Sequence, residues 1–125
     1  MSIDLDHWIA VATDMLQGRS DGRALCGAAK AGTAVPGMKY AEGRWAALRE
    51  VQREHRAGAT IAAAASGVEQ SWAGHLEALE RRGGGADWIA YRRGGVEVMA
   101  ELMAEIGTAE IGAAEIGRAE LNGHH

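Results

Sequence analysis

The chain has no phenylalanine, a single cysteine and a single proline, and aromatic residues make up only 5% of its 125 positions. A lone cysteine, Cys26, excludes an internal disulfide and any zinc site that needs several cysteines. No apolar run approaches the roughly 20 residues that cross a bilayer. The first residues include Asp4 and Asp6, where a secretory signal would be basic. These absences predict a cytoplasmic protein without a membrane partner.

Small residues dominate the composition. Alanine and glycine fill 44 of the 125 positions, so the bulky apolar residues are limited to Leu, Ile, Val, Met, four Trp and two Tyr. These bulky residues suffice for one small core if the helices pack closely over alanine. The chain length is that of one domain. We therefore expect an all-α fold, a compact bundle of four or five helices with a Gly-rich loop at 18–37. The domain would span 1–106, and 107–125 would be an irregular or helical repeat tail.

Apolar residues three and four positions apart predict the helices, and local signals mark their ends. Asp4, Thr60 and Asp87 are expected N-caps, while Gly18 and Gly58 are expected stops. The predicted helices cover 4–17, 38–57, 61–65, 67–82 and 88–106.

Two further features of these helices can be tested against the structure. Gly94 and Gly95 lie inside the last helix, where two glycines cost about 2 kcal/mol relative to alanine, so a kink or break is expected there. Each long helix also carries one tryptophan. We expect the four rings to form the aromatic centre of the core: Trp8, Trp45, Trp72 and Trp88.

The tail is the one internal repeat. Ala-Glu-Ile-Gly recurs with a period of five from Ala104, and the last unit is Ala119–Gly123. On a helix each unit would turn its apolar residue by about 140°, so no continuous stripe forms. The repeat resembles that of the pentapeptide-repeat family, and the resemblance implies a square β-helix. The alternative is a helical or low-complexity extension, and we assign no metal site to His124 and His125.

No catalytic set is visible in the sequence. None of the five histidines follows the Glu-x-x-His or His-Glu-x-x-His spacing of metal enzymes. His55 and His75 could meet between consecutive long helices, although a helix-end or half-buried histidine explains each of them better. The glycines at 83–85 lack the Lys-Ser/Thr of a phosphate-binding loop. We therefore predict no catalytic residue, cofactor or metal, and favour a non-enzymatic protein over a small helical enzyme or ligand binder.

Residues 60–79 resemble the helix-turn-helix motif of bacterial transcription regulators. Ala63 is the small residue at the helix contact, and Gly67 stands four positions later, where the turn requires a positive φ. Ser66–Glu69 matches a capping box for the second helix. The resemblance implies binding to double-stranded DNA through the exposed side of that helix.

Charge is distributed unevenly enough to indicate which part could face DNA. Residues 39–93 have a net charge of +2, whereas residues 94–125 have a net charge of −5. Base contacts would come from the second helix of the motif and phosphate contacts from arginines. The predicted DNA-binding residues are Gln70, Ser71, His75, Arg53, Arg56, Arg81, Arg82, Arg92 and Arg93.

Two other interpretations compete with DNA binding. Trp72-Ala73-Gly74 resembles the Trp-x-Gly signature of the small helical-hairpin proteins of type VII secretion. The apolar Met, Val and Leu face at 96–106 and the tail would instead suit a protein-interaction module, such as an adaptor, an inhibitor or a small subunit of a larger complex. Its partner would be another protein or a second copy of the chain.

Overall fold

Four α-helices account for nearly all of the chain that the computed structural model describes, which is residues 3–20 and 35–123. Their bounds are Leu5–Ser20 for α1, Val35–Arg56 for α2, Ile61–Arg81 for α3 and Ala86–Gly123 for α4. No strand occurs in these two ranges, so the prediction of an all-α bundle is confirmed. Most of the Gly-rich loop, a helical turn considered at 23–30, and the residues Cys26, His124 and His125 lie outside the described residues.

Local signals set several helix ends as expected. The Asp4 carboxylate accepts a hydrogen bond from the backbone N–H of His7 at 3.1 Å, which caps α1. The Thr60 hydroxyl caps α3 by accepting from the N–H of Ala63 at 3.0 Å. Gly58 and Gly83 follow α2 and α3 with φ values of 114° and 66°, a backbone region that glycine enters without a Cβ clash.

Three predicted helix ends are wrong. α3 runs without interruption through Gly67, whose φ is not positive, so the turn expected between 61–65 and 67–82 is absent. α1 passes Gly18 and ends at Ser20. One glycine costs a helix only about 1 kcal/mol, and favourable neighbours can offset that cost. In α3 these neighbours are the alanines at 62–65, the strongest helix formers.

The break expected at Gly94 and Gly95 is also absent, and the packing of α2 against α4 explains why. A Cβ atom on Gly94 would lie 2.1 Å from the carbonyl oxygen of Tyr40, and one on Gly43 would lie 1.8 Å from that of Tyr91. A Cβ on Gly95 would lie 2.2 Å from the Trp72 ring. These glycines therefore let two helix backbones touch, and the packing gained offsets their low helix propensity.

The core lies between α2, α3 and α4. Trp72 is 2% exposed, and its indole N–H donates to the Glu50 carboxylate at 2.6 Å. The expectation of four central tryptophans is wrong in part, because Trp8 and Trp45 are only partly buried and Trp88 is 51% exposed. The buried apolar residues are Leu5, Ala12, Ala41, Ala47, Leu48, Val51, Ala64, Ala65, Val68, Trp72, Val98, Met99 and Leu102.

The repeat tail continues α4 and does not form a β-helix. The α4 backbone is helical from Ala86 to Gly123, so it passes residue 106 without an end. Its 38 residues give a length of about 57 Å at 1.5 Å per residue, far more than the other three helices. The last part of α4 therefore extends beyond the bundle.

The arrangement of the helices leaves one side open. Successive helices run antiparallel, so α2 and α4 are parallel where they cross, and α3 packs against both. α1 packs against α2. Because its main contact is with α2, a cleft remains between α1 and α4.

The close α2–α4 contact can be tested with alanine substitutions. We expect Gly43→Ala to lower the free energy of unfolding by about 2 kcal/mol, because the added methyl group forces the helices apart. Gly67→Ala is the matched control, since a Cβ there meets nothing within 4 Å. It should raise the stability by about 1 kcal/mol through helix propensity. Urea unfolding followed by circular dichroism measures both, and equal stabilisation by the two variants would contradict the contact.

Candidate functional site

A cleft lined largely by apolar side chains lies between α1 and α4, and we call it the α1–α4 groove. Its volume is about 380 Å³. α1 and α4 form its two walls, and α2 forms its floor. The lining residues are His7, Trp8, Val11, Ala12, Met15, Arg44, Leu48, Val98, Glu101 and Glu105.

The sequence of α1 explains why this groove is apolar. Leu5 and Ala12 are buried against the bundle. Trp8, Val11 and Met15 are spaced by three and four residues on a neighbouring face, so they line one wall together. Val11 is 50% exposed, which is unusual for a branched aliphatic side chain with aromatic and sulfur-containing neighbours. α1 therefore carries more apolar surface than its packing on α2 uses.

An ion pair holds the α2 side of the groove to α4. The Arg44 guanidinium donates two hydrogen bonds to the Glu101 carboxylate, at 2.7 and 3.0 Å. It also donates to the Tyr40 hydroxyl at 3.3 Å, and that hydroxyl donates to Glu97 at 2.5 Å. The Arg44 side chain is only 13% exposed, whereas that of Glu101 is 51% exposed. Arg44, the one lysine or arginine among the described residues of the lining, is thus already bound to a carboxylate of the same chain.

This network shifts the pKa values of its members. The hydrogen bonds from Arg44 hold the pKa of Glu101 below its ordinary value of 4.5. The same contact raises the pKa of Arg44. Burial, followed by the hydrogen bond to Glu97, raises the pKa of Tyr40. At neutral pH Arg44 and Glu101 are therefore both charged, and Tyr40 keeps its proton.

Carboxylates line the α4 wall. Glu97, Glu101 and Glu105 recur every four residues, which places them in a row one helical turn apart. All three are exposed, and no side-chain partner of Glu105 lies among the described residues. The rim that faces solvent on this wall is therefore acidic.

The residues predicted to read DNA bases lie on the outer side of α3. Gln70, Ser71 and His75 are all exposed. The Gln70 amide donates to the Ser66 hydroxyl at 3.4 Å, and the His75 ring contacts the carbonyl of Ser71 at 2.7 Å. The three share a face of one continuous helix, α3.

The predicted phosphate-binding arginines fall into two groups at opposite ends of α3, about 30 Å apart at 1.5 Å per residue. Arg53 and Arg56 belong to the last turn of α2, which leads into α3. Arg53 lines a cleft with Glu50 and Glu54, and Arg56 lines a polar recess with two aspartates. Neither of these arginines lies on a uniformly basic surface.

The other four arginines lie where α3 ends and α4 begins. Arg81 pairs with Glu77 at 3.4 Å, and Arg93 pairs with Glu80 at 3.0 Å. Arg92 lies over the Trp72 ring, 4.6 Å from its centroid. Arg82 is exposed.

An aromatic patch lies beside these arginines. The exposed Trp88 ring meets Tyr91 edge to face, with centroids 5.7 Å apart. The Lys39 ammonium lies 4.9 Å from the Trp88 centroid. Arginine and aromatic side chains thus lie together at one end of the bundle.

The remaining candidates lose support as functional groups. His55 bonds the carbonyl of Ala59 and His75 that of Ser71, and the two rings lie about 20 Å apart along α3. Trp72-Ala73-Gly74 lies inside α3, not in a turn between helices. The face at 96–106 is largely core, because Met99 and Leu102 are fully buried. The residues of this face that reach a cleft are Val98, Glu101 and Glu105.

Sequence periodicity missed the groove because periodicity does not show which of two apolar faces a neighbour covers. The available signal was the width of the apolar surface of α1, which spans an arc of about 160° at 100° per residue. Its residues are Leu5, Trp8, Ile9, Val11, Ala12, Met15 and Leu16. A helix packed on a single neighbour needs a narrower stripe.

The Arg44–Glu101 pair makes a prediction about pH. Because the pKa of Glu101 is lowered on folding, its charge contributes stability above the unfolded value near 4.5, and this contribution is lost as the pH falls through the folded pKa. We expect Glu101→Gln to lower the free energy of unfolding by about 1 kcal/mol at pH 7, and by much less at pH 3.

Glu105→Gln is the control for this prediction, because Glu105 lies one turn further on the same wall without a partner in the described ranges. Its stability difference from the wild type should be small and should not change between the two pH values. A Glu101→Gln effect that is equal at pH 3 and pH 7 would contradict the ion pair.

Other kinds of site were sought in the described ranges. No group of three or more His, Cys, Asp or Glu side chains there could hold a metal ion. None of the helices combines the length and apolar character needed to cross a bilayer. No family model, curated protein or solved structure matches this chain. Functional inference therefore rests on the groove and on the arginine-rich end.

Proposed function

We propose that this chain is a non-enzymatic protein-interaction module that binds a helical segment of another protein in the α1–α4 groove. The observation that carries this proposal is the exposure of Val11 at 50%, between Trp8 and Met15, in a cleft open to solvent. Burying a valine side chain stabilises a complex by roughly 1.5 kcal/mol or more. A partner that covers Val11 would gain this stabilisation.

The shape of the groove favours a helix as the partner. α1 and α4 flank it as two antiparallel rods, and a third helix can lie in such a channel with apolar side chains at positions i, i+4 and i+7. The lining runs from His7 to Met15 on α1, which is about 12 Å at 1.5 Å per residue. That length accommodates two turns of a partner helix and two or three of its side chains.

Site-specific photocrosslinking tests this function. Replacing Val11 with benzoylphenylalanine in the full chain, expressed in its own cell, should give a discrete covalent adduct with one polypeptide. The same residue at Glu54, which is exposed on the other side of α2, is the matched control and should not give that adduct. Mass spectrometry would map the crosslinked peptide. The absence of an adduct at position 11, or the same adducts at both positions, would contradict the proposal.

Double-stranded DNA remains a second candidate because of one specific observation. Four arginines, Lys39 and two aromatic rings are gathered at the end of the bundle where α3 meets α4. The pairing of Arg81 and Arg93 with glutamates reduces the positive charge available for phosphates. The uninterrupted α3 also lacks the turn that would set a recognition helix at an angle to its neighbour.

DNA binding is tested by fluorescence anisotropy with a labelled duplex at low salt. If DNA is the ligand, affinity should fall steeply as salt is raised from 50 to 200 mM, because released counterions drive phosphate binding. The double variant Arg81→Ala/Arg82→Ala should then bind at least tenfold more weakly than the wild type. Arg49→Ala, which removes an arginine from α2, is the control and should bind as the wild type does. No binding at 50 mM salt would eliminate this candidate.

A further inference from the structure

We infer that the partner helix is basic, with lysine or arginine flanking its apolar stripe. This inference rests on the proposed function, and it adds the chemistry by which the α1–α4 groove would select its occupant. It depends on the charges at the rim, whereas the proposed function depends on the apolar lining.

The exposed charges of the α4 wall are negative. Among the described residues, Arg44 is the only lysine or arginine that lines the groove. Its guanidinium donates two hydrogen bonds to Glu101, and its side chain is 13% exposed. Glu101 keeps half of its carboxylate side chain in contact with solvent, and Glu105 has no partner in the described part of the chain. A helix entering the groove therefore meets carboxylates and no free cation on this side.

The acidic character continues along the sequence of α4 beyond the bundle. Residues 106–123 include three glutamates and a single arginine, Arg118. Cationic side chains on the partner would be attracted to the α4 wall, and they would increase the association rate at low ionic strength.

The same charges disfavour a second copy of this chain as the occupant. Two grooves facing each other would oppose the exposed carboxylates of their α4 walls, Glu101 and Glu105. Like charges brought together in this way repel and oppose association. A basic helix from a different protein avoids this conflict.

A selection from a displayed library of 18-residue helix-forming peptides tests this inference on the full-length chain. Val11→Asp serves as the counter-selection target, because it places a charge on the exposed wall of the groove without removing a core residue. Circular dichroism would establish that the variant is folded. We expect the enriched peptides to carry large apolar residues at i, i+4 and i+7 flanked by lysine or arginine, and to bind Val11→Asp at least tenfold more weakly.

Charge reversal on the rim supplies the second measurement. Glu105→Lys should weaken binding of the enriched peptides five- to tenfold, and raising salt from 50 to 300 mM should weaken binding to the wild type. Glu54→Lys changes the net charge of the chain equally but lies outside the groove, so its binding should stay within twofold of the wild type.

The possible results distinguish failure of the basic partner from failure of the protein-interaction function. Groove-dependent peptides that are acidic or uncharged, or equal effects of Glu105→Lys and Glu54→Lys, would overturn the basic partner and leave the protein-interaction function standing. Enrichment that Val11→Asp does not reduce, or no enrichment, would overturn both. A dimer in sedimentation velocity that Val11→Asp dissociates would identify a second copy as the occupant and overturn the basic partner.

Discussion

The crossing of α2 and α4 is the contact on which the rest of the structure depends. Gly43 and Gly94 each lie against a carbonyl of the opposite helix, and Gly95 lies against the Trp72 ring. With larger residues at these positions the helices would separate, and Trp72 would lose its place between them. The same crossing sets the register in which Arg44 reaches Glu101. The crossing of α2 and α4 therefore determines both the packing of the core and the position of the α4 wall of the groove.

The groove exists because α1 and α3 pack to different extents on the central pair, α2 and α4. α3 packs on both α2 and α4, and it buries Trp72 as it does so. α1 packs mainly on α2, so part of its apolar surface has no counterpart within the described chain. Val11 thus stays exposed although the helix that carries it is anchored by Leu5 and Ala12. A small bundle that leaves apolar surface uncovered in this way is stable alone and still has surface to offer a partner.

Helix caps and stops could be predicted from the sequence, whereas contacts between helices could not. Asp4, Thr60 and Gly58 act on neighbours a few residues away, and each lies where its side chain or backbone preference indicated. A glycine within a helix is different, because its cost depends on what faces it. Gly94 is compensated by its contact with the Tyr40 backbone, and Gly67 by the helix-forming alanines at 62–65, so neither interrupts its helix. The groove and the exposed Trp88 could not be predicted for the same reason, since both depend on which faces the neighbouring helices leave uncovered.

The tryptophans lie at different depths, and this gives the chain its own optical reporters. Trp72 is shielded in the core, Trp88 is half in water, and Trp8 lines the groove. Indole emission responds to polarity, so a segment seated in the groove would dehydrate Trp8 and shift its spectrum to shorter wavelength while Trp72 stays unchanged. A variant retaining Trp8 as its sole indole would thus report occupancy without any attached dye.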